Sequence, residues 1–383
     1  MTTAALGVDG GLAFVPPTAA SVHGRFLTAL AATVDGIALR AVRTLVDRAL
    51  MPAPAEVERL RREARFYQQP AFADDPSRFF AFLDGAPAVP DVTLAPRRPP
   101  ARGAERIRLT FASPYRPINP AYATAHDSFS ENHLVYAELW RHRHARPRPT
   151  VIGLHGFGMG WPTLDGLALM ASGLFAAGLD VALLTLPLHG ARAPRNGRFS
   201  GQLFASPNVP RMNESIGQAI HDLAALVEWL RAHGGAPVGV VGLSLGGYLA
   251  ALAAALLGDL AFVVPVIAPV CFGDLAHRFM AASRLYRDAG AAVMSRDEFR
   301  AMYRIHSPLA HQPRLARECL LILAARGDRV VPAEHAQWLW SHWNEPQLTW
   351  LTGSHLVPFG RGHMLAEIVR FVERLGILPR RAP

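Results

Sequence analysis

Hydrophobic and polar positions change rhythm near residue 100. Between residues 25 and 50, Phe26, Leu30, Val34, Ile37, Leu45 and Val46 recur at near-helical spacing, with Arg40, Arg43 and Arg48 elsewhere. A second helical pattern, 55–67, follows Pro52 and Pro54, and 76–82 reads as a further turn of helix. Strand-like segments come next at 106–112 and 134–140, separated by a Pro-rich loop over 113–120. The pattern then alternates: strand 150–155, helix 163–177, strand 181–186, helix 214–232, strand 238–243, helix 245–257 and strand 262–268. It resumes with strand 319–325, helix 333–343, strand 347–351 and helix 364–375. Continuous apolar strands alternating with helices predict an α/β fold, a mostly parallel sheet covered on both faces.

The pattern implies a division into a helical extension over 1–90, with 1–20 disordered, and a main domain over 91–383. Residues 274–312 interrupt the rhythm with two helical patterns, 275–288 and 296–305, and read as a small cap inserted above the sheet. The run 245–273 holds one charge, Asp259, but Gly246, Gly247, Pro265 and Pro269 fit a helix and a strand better than a membrane span. No internal repeat and no signal-peptide pattern is evident, which fits a cytoplasmic protein.

Composition narrows the chemistry. Half of the 383 residues are apolar and 18% are charged, as a globular protein with a sizeable core requires. The formal charge of +9 comes from arginine, because the chain has no lysine. That excludes a lysine Schiff base, a P-loop lysine and a Ser–Lys dyad. The arginines collect in loop-like stretches (97–108 and 141–148) that read as solvated loops or, alternatively, as attraction for anionic lipid; no nucleic-acid-binding module accompanies them. The two cysteines, Cys271 and Cys319, sit in apolar surroundings and read as buried hydrophobes. Metal hydrolysis is disfavoured, since His142-x-His144 is the one close histidine pair of note and no H-E-x-x-H motif occurs.

The sharpest motif is Gly242-Leu243-Ser244-Leu245-Gly246, between a β-branched strand and an alanine-rich helix. A G-x-S-x-G turn in that setting holds the serine hydroxyl out at the strand's carboxyl end, and a Cβ at either glycine would collide with a neighbouring strand or helix. A serine nucleophile needs a base, a carboxylate to orient it and donors for the oxyanion, all at the carboxyl ends of strands. Asp328 follows strand 319–325 after Gly327, with Asp274 as the alternative acid. His355 follows strand 347–351 after Gly353 and Ser354, with His363 as the alternative base. The oxyanion donors are expected at the backbone N–H of Leu245 and, in the His155-Gly156-Phe157-Gly158 loop, of Phe157.

These residues carry a resemblance. The order Ser244, Asp328, His355, the His155-Gly156 loop and the glycine–serine elbow resemble the α/β-hydrolase superfamily over residues 105–375. The helical leader, Phe111-Ala112-Ser113-Pro114 and the segment from Pro187 through Gly190 to Arg192 resemble its domain-containing-protein-18 branch. The resemblance implies a serine acyl-enzyme mechanism that needs no metal or organic cofactor, acting on a carboxylic ester, lipid-like ester or thioester. A non-catalytic binding protein on this fold, or a peripheral membrane protein docking through its basic leader, is the alternative. On the insertion, Phe272, Phe279, Met280, Tyr286, Met294, Phe299, Met302 and Tyr303 read either as acyl-pocket lining or as local core. Arg192, Arg195 and Arg198 read as solvated surface groups or as a site for an acidic head group.

Overall fold

The structure, a computed structural model, describes residues 17, 21–49, 54–83, 88–99, 103–143, 147–204, 208–234, 236–281, 294–357 and 360–378, with side chains left out at 41–49, 54, 82 and 83. The expected disorder at 1–20 (Pro17 apart), His144, Tyr286 and much of the insertion fall outside these residues.

Nine strands form one sheet: β1 (Thr93–Arg97), β2 (Ala104–Ala112), β3 (Leu134–His142), β4 (Thr150–Leu154), β5 (Asp180–Leu184), β6 (Val238–Leu243), β7 (Val263–Val266), β8 (Leu321–Ala325) and β9 (Gln347–Leu351). Their order is β1-β2-β3-β5-β4-β6-β7-β8-β9. The ladder from β5 through β4 to β9 is parallel, whereas β1, β2 and β3 pair antiparallel and β3 meets β5 antiparallel. Side chains alternate between two apolar cores, one on each face. Ile152 and Leu154, Val240, and Ile322 and Ala324 enter one core; Val151, Val241, and Leu321 and Leu323 enter the other. A strand buried on both faces cannot show polar alternation, which is why these segments read as unbroken apolar runs.

Helix α7 (Val209–Gly234) and helix α8 (Leu245–Leu256) cover one face, while α6 (Ala171–Ala177) and α12 (Arg361–Arg374) cover the other. The single helix expected over 163–177 is two, α5 (Pro162–Ala168) and α6, because Met170 takes a left-handed conformation with φ 55° between them. Strand β1 was not foreseen. Its mostly exposed residues and Pro96 suit an edge, where a missing N–H costs nothing.

The leader packs on its own molecule. Helix α1 (Val22–Ala49) turns Gly24, Ala31, Ala32 and Asp35 inward and leaves Val22, Phe26, Leu30, Val34 and Ile37 exposed on the other side. Helix α2 (Pro54–Arg65) and α3 (Pro70–Asp74), with the 3-10 turns at Phe66–Gln68 and Pro76–Leu83, seat Tyr67, Phe72, Phe79 and Phe80 in edge-to-face contact. The Tyr67 and Tyr115 hydroxyls donate to the buried Glu214 carboxylate at 2.8 and 2.6 Å, as do the Ile118 and Asn119 amides. Burial raises the Glu214 carboxyl above its ordinary value although all four donors oppose that shift. Among the described residues, no helix is long and apolar enough to cross a membrane.

Candidate active site

Strand β6 ends at Leu243, and α8 begins at Leu245. Between them Ser244 adopts φ 54°, ψ −111°, a region that L-residues seldom enter and that surrounding structure must impose. The imposing groups are close. A Cβ on Gly242 would overlap the Gly246 carbonyl, and one on Gly246 would overlap the Leu154 carbonyl of β4. The two flanking glycines are therefore required by close packing of β4, β6 and the start of α8.

Three strand ends bring three polar side chains together. Ser244 Oγ lies 2.9 Å from His355 Nε2, and His355 Nδ1 lies 2.7 Å from Asp328 Oδ2. A carboxylate only accepts, so Nδ1 carries the proton and Nε2 is free to accept from the serine. The other carboxylate oxygen of Asp328 accepts from the Val330 and Val331 amides at 2.9 and 2.7 Å, which fixes the acid after the turn at Gly327. Burial pulls the His355 imidazole down, but the Asp328 and Asp35 carboxylates outweigh it and leave the group above its ordinary value.

The alternative acid and base are occupied elsewhere. Asp274, on α9 (Phe272–Ala281), holds Arg296 and Arg300 of α10 (Arg296–Met302) in ion pairs. His363, on α12, is half-exposed and 3.5 Å from Glu367. The described part of the insertion is held together by those ion pairs and by packing. Met294, Phe299, Met302 and Tyr303 are buried in the core, whereas Phe272, Phe279 and Met280 are partly exposed. Arg192 is neither solvated nor open to a ligand: it is fully buried and paired at 2.8 Å with Asp222. Arg195, 3.4 Å from Glu131, and Arg198 are the exposed ones.

The loop 155–158 runs beside the elbow. A Cβ on Gly156 would stand 3.7 Å from Ser244 Cβ and 3.6 Å from the Leu243 carbonyl. His155, fully buried, secures this loop: Nδ1 donates to the Gly156 carbonyl at 2.8 Å and Nε2 accepts from the Leu186 amide at 3.1 Å. Burial pushes its imidazole down to about 3, so it stays neutral and keeps both bonds at working pH. The Phe157 ring stands at the surface, edge-to-face with Phe199 at 6.3 Å and with His189 at 5.8 Å. Leu356, next to His355, is exposed as well. A small cavity of about 10 Å³ behind Asp328, lined by residues such as Val331, Pro332 and Trp350, holds no more than a water and backs the acid loop.

Sequence reasoning missed Asp35. This fully buried carboxylate of α1 accepts from the His355 amide at 2.9 Å and the Leu356 amide at 3.0 Å. The one available signal was a lone acid among Gly24, Ala31 and Ala32 on the inward face of α1.

Among the described residues, His126, Asp127 and His133 have ligand atoms within 4.8 Å of one another. The His126 and His133 imidazoles stack at 5.0 Å with a 23° interplanar angle. His142 stacks on Phe175 and pairs with Asp180 at 2.8 Å. Burial raises the Cys271 thiol to about 12, which suits a buried hydrophobe.

Comparison with known proteins agrees with this architecture. Residues 128–272 match the family described as alpha/beta hydrolase domain containing 18, a span that includes Ser244 but neither Asp328 nor His355. Two uncharacterized proteins of Mycobacterium tuberculosis, MT2702 of strain CDC 1551 / Oshkosh and Rv2627c of strain H37Rv, are each 29% identical over 318 residues, covering 82% of this chain and 74% of theirs. Among solved structures, an acetyl xylan esterase from Paenibacillus sp. R4 superposes with TM-score 0.53 at 15% identity, over 78% of this chain and 94% of that one. Acetyl xylan esterase 1 from Thermoanaerobacterium sp. JW/SL YS485 gives 0.52 at 17% identity, over 79% and 94%. The chain has the fold of the α/β-hydrolases, and its residues 128–272 are similar to the family described as alpha/beta hydrolase domain containing 18.

Proposed function

We propose that the chain is a serine hydrolase of carboxylic esters, with Ser244 as nucleophile, His355 as general base and Asp328 as the carboxylate that orients it. The observation that carries the reading is the pair of contacts, 2.9 Å from Ser244 Oγ to His355 Nε2 and 2.7 Å from His355 Nδ1 to Asp328 Oδ2, at a serine held at φ 54°. His355 takes the hydroxyl proton as Oγ attacks the ester carbonyl. The tetrahedral oxyanion is stabilised by the Leu245 and Phe157 amides, each donor contributing about 10²–10³ in rate. The alcohol leaves with the proton from His355; water, deprotonated by the same imidazole, then releases the acid and restores the serine.

The apolar rim of Phe157, Phe199 and Leu356 favours an apolar acyl or alcohol group over a sugar or a charged one. The fold relatives named as acetyl xylan esterases fit an ester substrate. A panel of p-nitrophenyl esters from acetate to octanoate tests this. The wild type is expected to turn over at least one of them, with a rate that rises beyond acetate. Ser244→Ala is expected to lose about 10⁴-fold or more. Hydrolysis that survives Ser244→Ala overturns the assignment.

A further inference from the structure

Asp35 lies far from the elbow in sequence, yet its hydrogen bonds among the described residues go to the loops that carry the proposed acid and base. Its Oδ1 accepts from Ser354 Oγ at 2.8 Å and from the Leu356 amide at 3.0 Å. Its Oδ2 accepts from the His355 amide at 2.9 Å and from the Arg329 amide at 3.1 Å. Three donors come from the base loop after β9 and one from the acid loop after β8. One carboxylate thus spans both segments, and four charge-assisted bonds satisfy its burial.

Independent contacts bring α1 to the same place. A Cβ on Gly327, at the turn that precedes Asp328, would stand 2.8 Å from the Thr28 carbonyl of α1 and 2.8 Å from the Gly353 carbonyl of the base loop. The Gly327 amide donates to that Gly353 carbonyl at 2.8 Å. A Cβ on Gly36 would lie 3.4 Å from Arg329 Nη1, and Arg326 Nε donates to the Pro17 carbonyl at 2.7 Å. The acid turn, the base turn and α1 are therefore packed backbone against backbone, without room for a side chain between them.

We infer that Asp35 is a positioning residue for the proposed hydrolase, clamping the His355 and Asp328 loops in register so that the imidazole stays aligned between Ser244 and the acid. This inference rests on the triad reading above and adds to it a residue of the leader. Without the clamp, the base loop keeps β9 behind it but loses what fixes the His355 amide. Small displacements of a base cost about 10²-fold in rate, because proton transfer depends on alignment. Electrostatics act in the same direction. The charged groups acting on His355 are Asp328 from the acid loop and Asp35 from α1, its remaining partner being the neutral Ser244. Both carboxylates favour the imidazolium, so removing one lowers the pH at which the base becomes free.

The change to test is Asp35→Asn. The side chain keeps its shape, but an amide has one acceptor oxygen, so two of the four donors would face an NH₂ group. The measurement is the rate of labelling by a fluorophosphonate probe from pH 5 to 9, on full-length protein whose thermal unfolding is followed in parallel. Folded Asp35→Asn is expected to label about 10–10²-fold more slowly than wild type, with the acid-side midpoint moved to lower pH. A role confined to stability would lower the melting temperature and leave the midpoint in place. Should Asp35→Asn fail to fold, Ser354→Ala decides: it removes one of the four bonds but keeps the Asp35 charge, so folded Ser354→Ala is expected to label several-fold more slowly with its midpoint in place, and a wild-type rate overturns the inference. Wild-type rate and midpoint in the folded variant overturn the inference. Failure of the triad reading looks different, since then wild type itself does not label, or Ser244→Ala labels equally well.

Discussion

At neutral pH a serine hydroxyl is a weak nucleophile, so the reaction proposed for Ser244 depends on the protonation state of His355. Burial disfavours the imidazolium, but the Asp328 and Asp35 carboxylates outweigh burial and hold it above its ordinary value. A protonated imidazole cannot accept the serine proton, so activity is lost as pH falls through that raised value. The acid limb of kcat/KM for a p-nitrophenyl ester is expected to have its midpoint above about 6.5. A midpoint below that, in a profile governed by one group, would contradict the arrangement. Ser244, Asp328 and His355 were legible in the sequence because each directly follows an apolar run at a glycine-containing turn. Asp35 was not: 320 residues separate it from His355, and nothing local in an amphipathic helix says that a lone inward acid will meet a loop so distant.

Among the elements, the connection after β5 shows how buried charge holds the scaffold around the site. Arg192 donates to the Thr185 carbonyl at 3.1 Å and to the Asn132 carbonyl at 2.9 Å, and pairs with Asp222 of α7, which accepts from Ser113 at 2.6 Å. This group joins the segment after β5 to α7 and to the segments that follow β2 and precede β3. Arg192→Ala leaves a fully buried carboxylate without its counter-charge and is expected to cost about 3–5 kcal/mol in urea unfolding. Replacing both partners with apolar residues of similar volume is expected to cost less. A loss below about 1 kcal/mol for Arg192→Ala would contradict the role given to the pair. Burial of Arg192 was beyond sequence reasoning, since its partner lies on another element. The break in helix 163–177 was equally hidden, for Met170 takes φ 55° with no glycine or proline to announce it. Strand β1 escaped for the opposite reason, being too exposed to show an apolar run.

Over the whole molecule, the parallel sheet and its two cores were readable because strands buried on both faces leave a continuous apolar signal. The antiparallel edge of β1, β2 and β3 carries less of that signal, and the leader carried none of its eventual role. Its inward face holds the proposed acid and base loops, while its outward face leaves Phe26, Leu30 and Ile37 exposed. A buried carboxylate of one helix, two strand-end turns and a serine at φ 54° converge on the site proposed above. The most direct measurement is therefore to treat the protein with a fluorophosphonate and locate the adduct by peptide mass spectrometry. The account predicts a single modification at Ser244 in the wild type and none in Ser244→Ala. An adduct on another residue, or ester hydrolysis by a protein that takes up no probe at Ser244, would contradict it.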